Sequence, residues 1–187
     1  MRAVFVTGPA GSGKSSVARL LAEHFAATYL DKDTVCTHLT EALLAAAGTD
    51  RDERDHNAYY QSVVMDLEYR TMLDLARDNL EVGRPVVLDA PFGRYLGDPD
   101  FVTETVARHR WPAGVTPVVV QVRVDGETAR RRIEARGFAR DRSKLADWDS
   151  FWDKASANQC RWEGVRRLVY DNVTDGVDRA AVLRMLG

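Results

Sequence analysis

Short runs of apolar, mostly β-branched residues alternate along the chain with segments whose apolar positions recur every three or four residues. This alternation is typical of a parallel sheet covered by helices. The predicted strands are residues 3–7, 28–30, 86–88, 116–124 and 168–170. The predicted helices are residues 15–25, 34–47, 58–81, 100–110, 127–136 and 177–186. We therefore expect an α/β fold whose functional site lies at the carboxyl ends of the strands.

Two stretches interrupt the pattern. Residues 50–57 form a charged connection, and residues 138–162 are polar, rich in arginine and tryptophan, and without clear periodicity. The sequence shows no repeat, low-complexity segment or linker, and 187 residues suit one domain of ordinary size. We expect a single domain, residues 1–187.

The composition, 45% hydrophobic and 29% charged, is that of a folded soluble protein. Its apolar runs fall well short of the roughly 20 residues needed to cross a bilayer, and the first one runs straight into Gly8, which argues against a secretory signal. Cys36 and Cys160 are too few for a disulfide framework or a zinc site. A formal charge of −2 gives no reason to expect duplex nucleic acid as a partner. We expect a cytoplasmic monomer or homodimer without a membrane partner.

The strongest motif is GPAGSGKS, residues 8–15, which matches G-x-x-x-x-G-K-S and lies between a predicted strand and a predicted helix. Glycines allow backbone N–H groups to point at phosphate oxygens, and the helix adds its positive N-terminal end. Lys14 can reach the β- and γ-phosphates, and the Ser15 hydroxyl can ligate Mg²⁺. The motif predicts binding of a nucleoside triphosphate with magnesium. The candidate contacts are Gly8, Ala10, Gly11, Ser12, Gly13, Lys14, Ser15 and Ser16.

Two aspartates flank Lys32 where the second predicted strand ends. Residues two apart on a strand project on the same side, so Asp31 and Asp33 are expected to face the phosphate loop together. Asp31 could then hold Mg²⁺ through water, and Asp33 could accept a proton from an attacking hydroxyl. The alternative is that Asp33 simply caps the helix that follows.

The third predicted strand ends at Asp89, which is placed to approach the metal or the incoming substrate. The alternative is a solvated strand-end carboxylate. Arg94 follows soon after and is a candidate substrate contact, although a surface arginine is an equally good interpretation.

Arg132 and Arg136 are four residues apart, on one face of a predicted helix, and Arg140 follows in the irregular segment. Guanidinium groups suit the charge that spreads over a transferring phosphoryl group, and an arginine plane can stack on adenine. Only four of the 26 basic residues are lysines, so arginine is abundant throughout, and the alternative is a solvated, arginine-rich helix.

These motifs together (GPAGSGKS, LDKD, VVLDA and RRIEAR) resemble those of P-loop kinases of the adenylate, shikimate and gluconate kinase type. Within that group the chain is most similar to small bacterial kinases related to zeta toxin, chloramphenicol phosphotransferase and polynucleotide kinase. The resemblance spans nearly the whole chain. It implies a three-layer P-loop NTPase fold with sheet order 2-3-1-4-5 and a mobile lid around residues 138–162.

The resemblance also implies roles for individual residues. Asp31 and Asp33 match the D-x-D of shikimate kinases, whose first acid supports Mg²⁺ and whose second contacts the reacting hydroxyl. Asp33 matches the general base of polynucleotide kinases as well. Arg132 and Arg136 match the base of the adenylate kinase lid, which implies an adenine neighbour and a phosphate neighbour respectively. The loop at residues 172–173, Asn172 and Val173, would border the adenine.

The chain departs from these families in two ways: the glycine triplet that shikimate kinases carry after strand three is replaced by Ala-Pro-Phe-Gly, and no substrate signature of nucleoside monophosphate kinases is evident. The guanine-reading N/T-K-x-D motif of GTPases does not occur either, so the sequence disfavours shikimate, nucleoside monophosphates and a GTPase role. The acceptor is therefore left open, and its site is expected between residues 34–82 and the end of strand three. Each candidate there also has an ordinary structural interpretation; they are Arg54, His56, Tyr59, Tyr60, Glu68, Tyr69 and Arg70. Trp148, Trp152 and Trp162 are expected to pack the lid or to close over a ring-bearing ligand.

The sequence thus predicts a Mg-ATP-dependent phosphotransferase that acts on a hydroxyl of a small molecule such as a sugar, a nucleoside, an aminoglycoside or another antibiotic-like compound. The carboxylates of the site favour a neutral or cationic acceptor. One alternative is a polynucleotide 5′-kinase, which needs a basic channel with stacking aromatics. The other is a nucleotide-dependent switch or ATPase that has no acceptor.

Overall fold

A computed structural model describes residues 1–174 and 176–186, and five strands in this part of the chain form one parallel sheet. The strands are β1 (Arg2–Thr7), β2 (Thr28–Asp31), β3 (Val86–Asp89), β4 (Thr116–Arg123) and β5 (Arg166–Asp171). Their order is β2-β3-β1-β4-β5. The predicted fold class and the strand order implied by the resemblance are both confirmed.

Helices follow each strand. They are α1 (Lys14–Phe25), α2 (Lys32–Ala46), α3 (Met65–Glu81), α4 (Phe101–Arg108), α5 (Gly126–Arg136), α6 (Arg142–Ala146), α7 (Trp148–Ala157) and α8 (Arg179–Arg184). A π-helical turn, Tyr60–Val64, leads into α3, and a 3₁₀ turn, Ala139–Asp141, leads into α6. Among the described residues, no helix is long and apolar enough to cross a membrane.

The three central strands, β3, β1 and β4, are buried on both faces because they carry apolar residues at consecutive positions. On β1, Ala3 and Phe5 face one side and join a cluster formed with α3, α4 and Trp162, whereas Val4 and Val6 face the other side and pack with α1 and α8. Helices therefore cover both faces, and the protein has the three layers that were expected.

The register of the strands positions the functional residues. Asp31 at the end of β2 is paired with Asp89 at the end of β3, and Asp89 is paired with Val6 near the end of β1. The loop between β1 and α1, residues 8–13, follows directly. Two acidic side chains and the phosphate loop therefore meet at one edge of the sheet.

The segment predicted as a lid, residues 138–162, divides into two parts. Residues 139–157 form the 3₁₀ turn and helices α6 and α7. Trp162 instead is fully buried in the core, and the backbone beside it is fixed, because the Arg161 and Glu163 N–H groups donate to Leu96 and Pro99 carbonyls at 2.8 Å.

Candidate active site

The phosphate loop has the conformation that its glycines allow. Gly11 and Gly13 have φ angles of +79° and +81°, in the left-handed region that favours glycine. A Cβ atom on Gly11 would lie 2.5 Å from the Ala129 carbonyl oxygen, and one on Gly13 would collide with the Asn172 amide. The loop and the start of α1 therefore fit so closely against their neighbours that neither glycine can be replaced by a residue with a side chain.

Arg132 and Asn172 brace this loop. Arg132 Nη1 donates to the Gly11 and Asn172 carbonyls at 3.2 Å, and Nη2 donates to the Thr174 carbonyl at 2.6 Å. Asn172 Nδ2 donates to the Ser12 carbonyl at 2.8 Å. Sequence reasoning missed this bracing role, since the partners are 121 to 160 residues apart and no motif records them. The expected adenine contacts of Arg132, Asn172 and the exposed Val173 stay predictions.

Lys14 lies among the three carboxylates that the sequence singled out. Burial lowers the pKa of Lys14, while Asp89, Asp33 and Asp31 act to raise it. The predicted proximity of these acids to the phosphate loop therefore holds. Asp33, however, lies on the first turn of α2 rather than on β2, so the strand-end geometry expected for the two aspartates is wrong.

Asp31, not Asp33, caps helix α2. The Asp31 carboxylate accepts hydrogen bonds from the Asp33 backbone N–H at 3.0 Å and from the Thr34 hydroxyl at 2.9 Å. The capping interpretation of Asp33 is therefore wrong, and its side chain is one of those that line the cleft. A place for Asp31 beside magnesium stays a prediction.

Asp89 is buried, with 2% of its surface exposed, which excludes a solvated strand-end carboxylate. Its Oδ2 accepts a hydrogen bond from the Tyr29 hydroxyl at 2.7 Å, and its buried Oδ1 has no hydrogen-bond partner in the part of the chain that the structure describes. Burial raises the pKa of Asp89 above its usual range, against the opposing effects of Lys14, Ser15 and Tyr29. A buried carboxylate oxygen without a partner, beside a serine hydroxyl, fits a magnesium ion.

The described residues contain no group of three His, Cys, Asp or Glu side chains placed to hold a metal ion. Magnesium commonly binds through one or two protein ligands and completes its shell with phosphate and water oxygens. Ser15 and Asp89 are suitable protein ligands for such a site, with Asp31 near Lys14 as the third candidate.

Asp33 is surrounded by cations. Arg140 Nη2 lies 2.7 Å from Asp33 Oδ2, while Oδ1 is 3.7 Å from both Lys32 Nζ and Arg54 Nη1. Burial opposes ionisation of Asp33, but Lys32, Arg140, Lys14 and Arg54 together outweigh it and hold its pKa below the usual range. The carboxylate is therefore ionised, and its Oδ1 lies beyond hydrogen-bond distance of these two cations.

Arg136, at the end of α5, and Arg140 and Lys144, in the predicted lid, are paired rather than merely solvated. Arg136 donates to both oxygens of the buried Asp141, at 2.7 and 2.9 Å. Lys144 Nζ lies 2.7 Å from Asp55 in the 50–57 connection, and Arg140 contacts Asp33 as described. Arg136 thus connects α5 to the lid segment, and Arg140 and Lys144 connect the lid segment to the opposite wall.

A cleft of about 700 Å³ is lined by the phosphate loop, by Asp33, by Arg136 at the end of α5 and by Arg140 of the predicted lid. Five acceptor candidates line it: Arg54, His56, Tyr60, Tyr69 and Arg94. Arg70 does not, because it lies on the surface beside Asp66, and Tyr59 packs against an apolar cluster.

Glu68 lies behind the wall of this cleft. It is 3% exposed, forms a close ion pair with Lys32, and accepts hydrogen bonds from the Tyr60 hydroxyl at 2.8 Å and the Thr40 hydroxyl at 2.6 Å. Lys32, 5% exposed, also lines the cleft and was missed by sequence reasoning. This buried network fixes Lys32, the residue that precedes Asp33 in the first turn of α2.

The tryptophans pack instead of lining the cleft. The Trp148 and Trp152 rings stack with centroids 5.6 Å apart, and Trp152 lies against Gly126 at the start of α5. Trp162 contacts Phe5, Phe92 and Phe101 in the core. Of the two expected roles, the structure supports packing.

A parallel sheet in this order, with a glycine-rich phosphate loop after β1 and a helical segment over the cleft, defines a P-loop nucleotide-binding protein with a kinase-type fold. A family model agrees with this class. The model described as AAA domain matches residues 4–158, and the chain belongs to that family. No curated protein matches the sequence.

Solved structures with this fold include several kinases. A candidate kinase from Chloroflexus aurantiacus is similar with a TM-score of 0.69 and 19% identity, over 99% of this chain and 96% of that one. A sugar kinase from Janibacter has a TM-score of 0.60 and 13% identity, over 98% and 91%. A gluconokinase from Sinorhizobium meliloti has a TM-score of 0.55 and 17% identity, over 98% and 87%. The resemblance to small-molecule P-loop kinases is thereby confirmed at the level of the fold.

Proposed function

We propose that this protein is a Mg-ATP-dependent phosphotransferase that moves the γ-phosphate of ATP to a hydroxyl of a small molecule. The observation that carries the proposal is the cleft in which Lys14 of the phosphate loop lies near an ionised Asp33, with Arg136 and Arg140 along the same wall. We further propose that residues 1–187 act as one kinase domain and that the segment 139–157 is its lid.

The residues divide into three roles. Asp33 accepts the proton of the acceptor hydroxyl through Oδ1 while Arg140 holds Oδ2 in place. Lys14 and Arg136 stabilise the negative charge of the transferring phosphoryl group, and closure over the cleft excludes water. Ser15, Asp31 and Asp89 would hold magnesium, which would supply positive charge near the phosphates.

The reaction balances with these groups alone. The acceptor oxygen forms a bond to the γ-phosphorus as the bond from that phosphorus to the β–γ bridging oxygen breaks. The hydroxyl proton passes to Asp33, and ADP leaves with the bridging oxygen. Arg54, Tyr60, Asp89 and Arg94 are the proposed neighbours of the acceptor.

The test is ADP release from Mg-ATP in the presence of sugars, nucleosides, aminoglycosides, other antibiotics and a 5′-hydroxyl oligonucleotide. We expect one class of hydroxyl compound to stimulate release and to gain the mass of one phosphate. Asp33→Asn should lower turnover about 10²- to 10⁴-fold while nucleotide binding persists, because the amide cannot take the proton. Asp66→Asn, which removes an exposed carboxylate from α3, is the matched control and should leave turnover unchanged.

Equal turnover by Asp33→Asn would show that Asp33 is not the base. Phosphorylation of the oligonucleotide alone would identify a polynucleotide 5′-kinase. Nucleotide binding without stimulation by any compound, together with a partner bound in the ATP state and released in the ADP state, would identify a switch.

A further inference from the structure

Most cations in the acceptor half of the cleft are neutralised at close range. Lys32 forms an ion pair with Glu68, Arg140 with Asp33 at 2.7 Å, and Lys144 with Asp55 at 2.7 Å. Each of these carboxylates lies within hydrogen-bond distance of the cation it neutralises, and two of the pairs join the lid segment to the opposite wall. The positive charges of these three residues are therefore balanced within the protein.

Arg54 is different. Its side chain is nine-tenths buried, yet the nearest carboxylate oxygens, Asp33 Oδ1 and Glu68 Oε1, are 3.7 and 3.8 Å from Nη1, beyond hydrogen-bond distance. Its side chain makes one long hydrogen bond, from Nη2 to the Thr37 hydroxyl at 3.5 Å, and the buried Nε has no partner among the described residues. A guanidinium has five N–H donors, so most of its hydrogen-bonding capacity is unused.

The surroundings hold this guanidinium at the wall of the cleft. Arg54 lies over the Tyr60 ring at 5.8 Å, and both residues line the cleft. Tyr60 itself is fixed by its hydrogen bond to Glu68. Asp33 and Glu68 make their closest contacts with Arg140 and Lys32, so each leaves Arg54 only a longer ion pair, at 3.7 and 3.8 Å. A buried charge without a close partner is unfavourable unless a bound group supplies the opposite charge.

We propose that Arg54 binds an anionic group of the acceptor, so that the acceptor is a hydroxyl compound that also carries a carboxylate or a phosphate. Both groups present two oxygens that match the donors of a guanidinium fork. The proposal rests on the proposed function, because Asp33 supplies the second point of contact. Since Arg54 Nη1 lies 3.7 Å from Asp33 Oδ1, the hydroxyl and the anionic group are separated by only a few bonds of one small molecule.

This conclusion reverses the preference for a neutral or cationic acceptor that the sequence suggests. That preference counted the acidic residues of the motifs but not the cations that the fold brings to them. The structure places Arg140 and Lys32 on those carboxylates at close range and leaves the buried Arg54 without a carboxylate at hydrogen-bond distance.

The first test measures anion binding without turnover. Protein saturated with Mg-ADP, which occupies the phosphate loop, is titrated by calorimetry with inorganic sulfate and, separately, with acetate, at an ionic strength held constant with chloride. We expect the wild-type protein to bind at least one of these anions and Arg54→Met to bind it about 10- to 100-fold more weakly. Arg51→Met removes an exposed arginine three residues away and should bind like the wild type.

Arg54→Lys keeps the positive charge and should retain part of the anion binding. Melting temperatures of all variants, measured without added anion, show whether Arg54→Met has a folding defect. Binding of sulfate but not acetate points to a phosphate on the acceptor, and the reverse points to a carboxylate. Equal binding by wild type and Arg54→Met, or binding of neither anion by the wild type, overturns the proposal.

The second test measures ADP release with matched acceptors: ribose against ribose 5-phosphate, and glucose against gluconate. We expect stimulation only by anionic members, with a KM for the acceptor that rises 10- to 100-fold in Arg54→Met while the KM for ATP is unchanged. Efficient phosphorylation of a neutral member, unaffected by Arg54→Met, overturns the anion site but supports the proposed function. Anion binding at Arg54 without phosphorylation of any compound in the wider panel would instead count against the proposed function.

Discussion

Asp33, the proposed general base, is both ionised and held in one orientation. The four cations that face it keep it ionised, and this lowers its intrinsic basicity. They also fix its orientation, because Arg140 binds Oδ2. For a loose phosphoryl-transfer transition state, positioning of the hydroxyl is more important than a strong base, so this arrangement suits the proposed reaction.

The lowered pKa of Asp33 has a consequence for the pH dependence of activity. The ionised form is the active one, so kcat/KM should persist below the usual carboxylate range and fall only as the pH drops through the lowered pKa. Arg140→Gln removes one of the charges that lower this pKa. The acid limb of the kcat/KM profile should therefore move to higher pH.

Arg142→Gln is the control, since Arg142 is an exposed arginine two residues further along the same segment. Its acid limb should coincide with that of the wild type. An acid limb that stays in place in Arg140→Gln would mean that a group other than Asp33 controls it.

At the scale of residues, the sequence predicted the functional residues that belong to a motif and missed those whose role depends on partners far away in the sequence. Lys14 and Ser15 follow from the spacing of the phosphate loop. The Lys32–Glu68 pair could not be predicted, because a lysine between two aspartates and a glutamate 36 positions later have no local signal in common. The position of Asp33 was misjudged because helix α2 begins directly after Asp31.

At the scale of elements, the lid segment is held by charge rather than by apolar burial. Neither α6 nor α7 contains a fully buried residue. The segment contacts the opposite wall of the cleft through Arg140 with Asp33 and through Lys144 with Asp55. Ion pairs of this kind are weak individually and screened by salt, so the segment is suited to opening and closing.

Removal of one ion pair should loosen this segment. In Lys144→Met the contact with Asp55 is lost, and amide hydrogen exchange over residues 139–157 should become several-fold faster while exchange in β1 and β4 is unchanged. Because closure excludes water, release of ADP without an acceptor should rise as well.

Arg142→Met provides the comparison, as it removes a neighbouring exposed base from α6. Exchange rates that are the same in Lys144→Met and in the wild type would show that the pair with Asp55 does not hold the lid.

How well each element could be predicted from the sequence depends on how much apolar surface that element buries. The strands were predicted to within two residues at each end, because buried parallel strands are continuous apolar runs. No secondary structure was predicted for residues 138–162, since α6 and α7 are short and contain no fully buried residue that would give an apolar periodicity. Trp162, at the end of that stretch, belongs to the core because of contacts with residues 5, 92 and 101 that lie far away in sequence.

At the scale of the whole molecule, two apolar clusters on opposite faces of the sheet stabilise the fold. The cluster on the α3–α4 face is rich in aromatic side chains, and Trp162 lies at its centre between Phe5, Phe92 and Phe101. Its indole N–H donates to the Tyr95 carbonyl at 2.8 Å. This side chain therefore combines full burial with a satisfied hydrogen bond.

Trp162→Ala should lower the free energy of unfolding by about 3–5 kcal/mol, as large-to-small changes of buried aromatics do. Trp148→Ala removes a partly exposed ring of the lid segment and should cost only about 1 kcal/mol. Urea denaturation followed by circular dichroism measures both. If Trp162→Ala does not fold, Trp162→Phe is measured in its place, and its loss of unfolding free energy should lie between the losses expected for Trp162→Ala and Trp148→Ala. Equal losses would contradict the distinction between core and lid.

The bracing of the phosphate loop by Arg132 and Asn172 also bears on how the protein is made. The loop lies within the first fifteen residues, yet its carbonyls at residues 11 and 12 are held by side chains from residues 132 and 172. During translation the loop emerges long before the residues that brace it. A chain whose synthesis is stalled before residue 172 has emerged from the ribosome should therefore contain the motif without the geometry that binds a nucleotide. Nucleotide binding would then begin only after residue 172 has emerged from the ribosome, and the nascent chain would not consume ATP before that point.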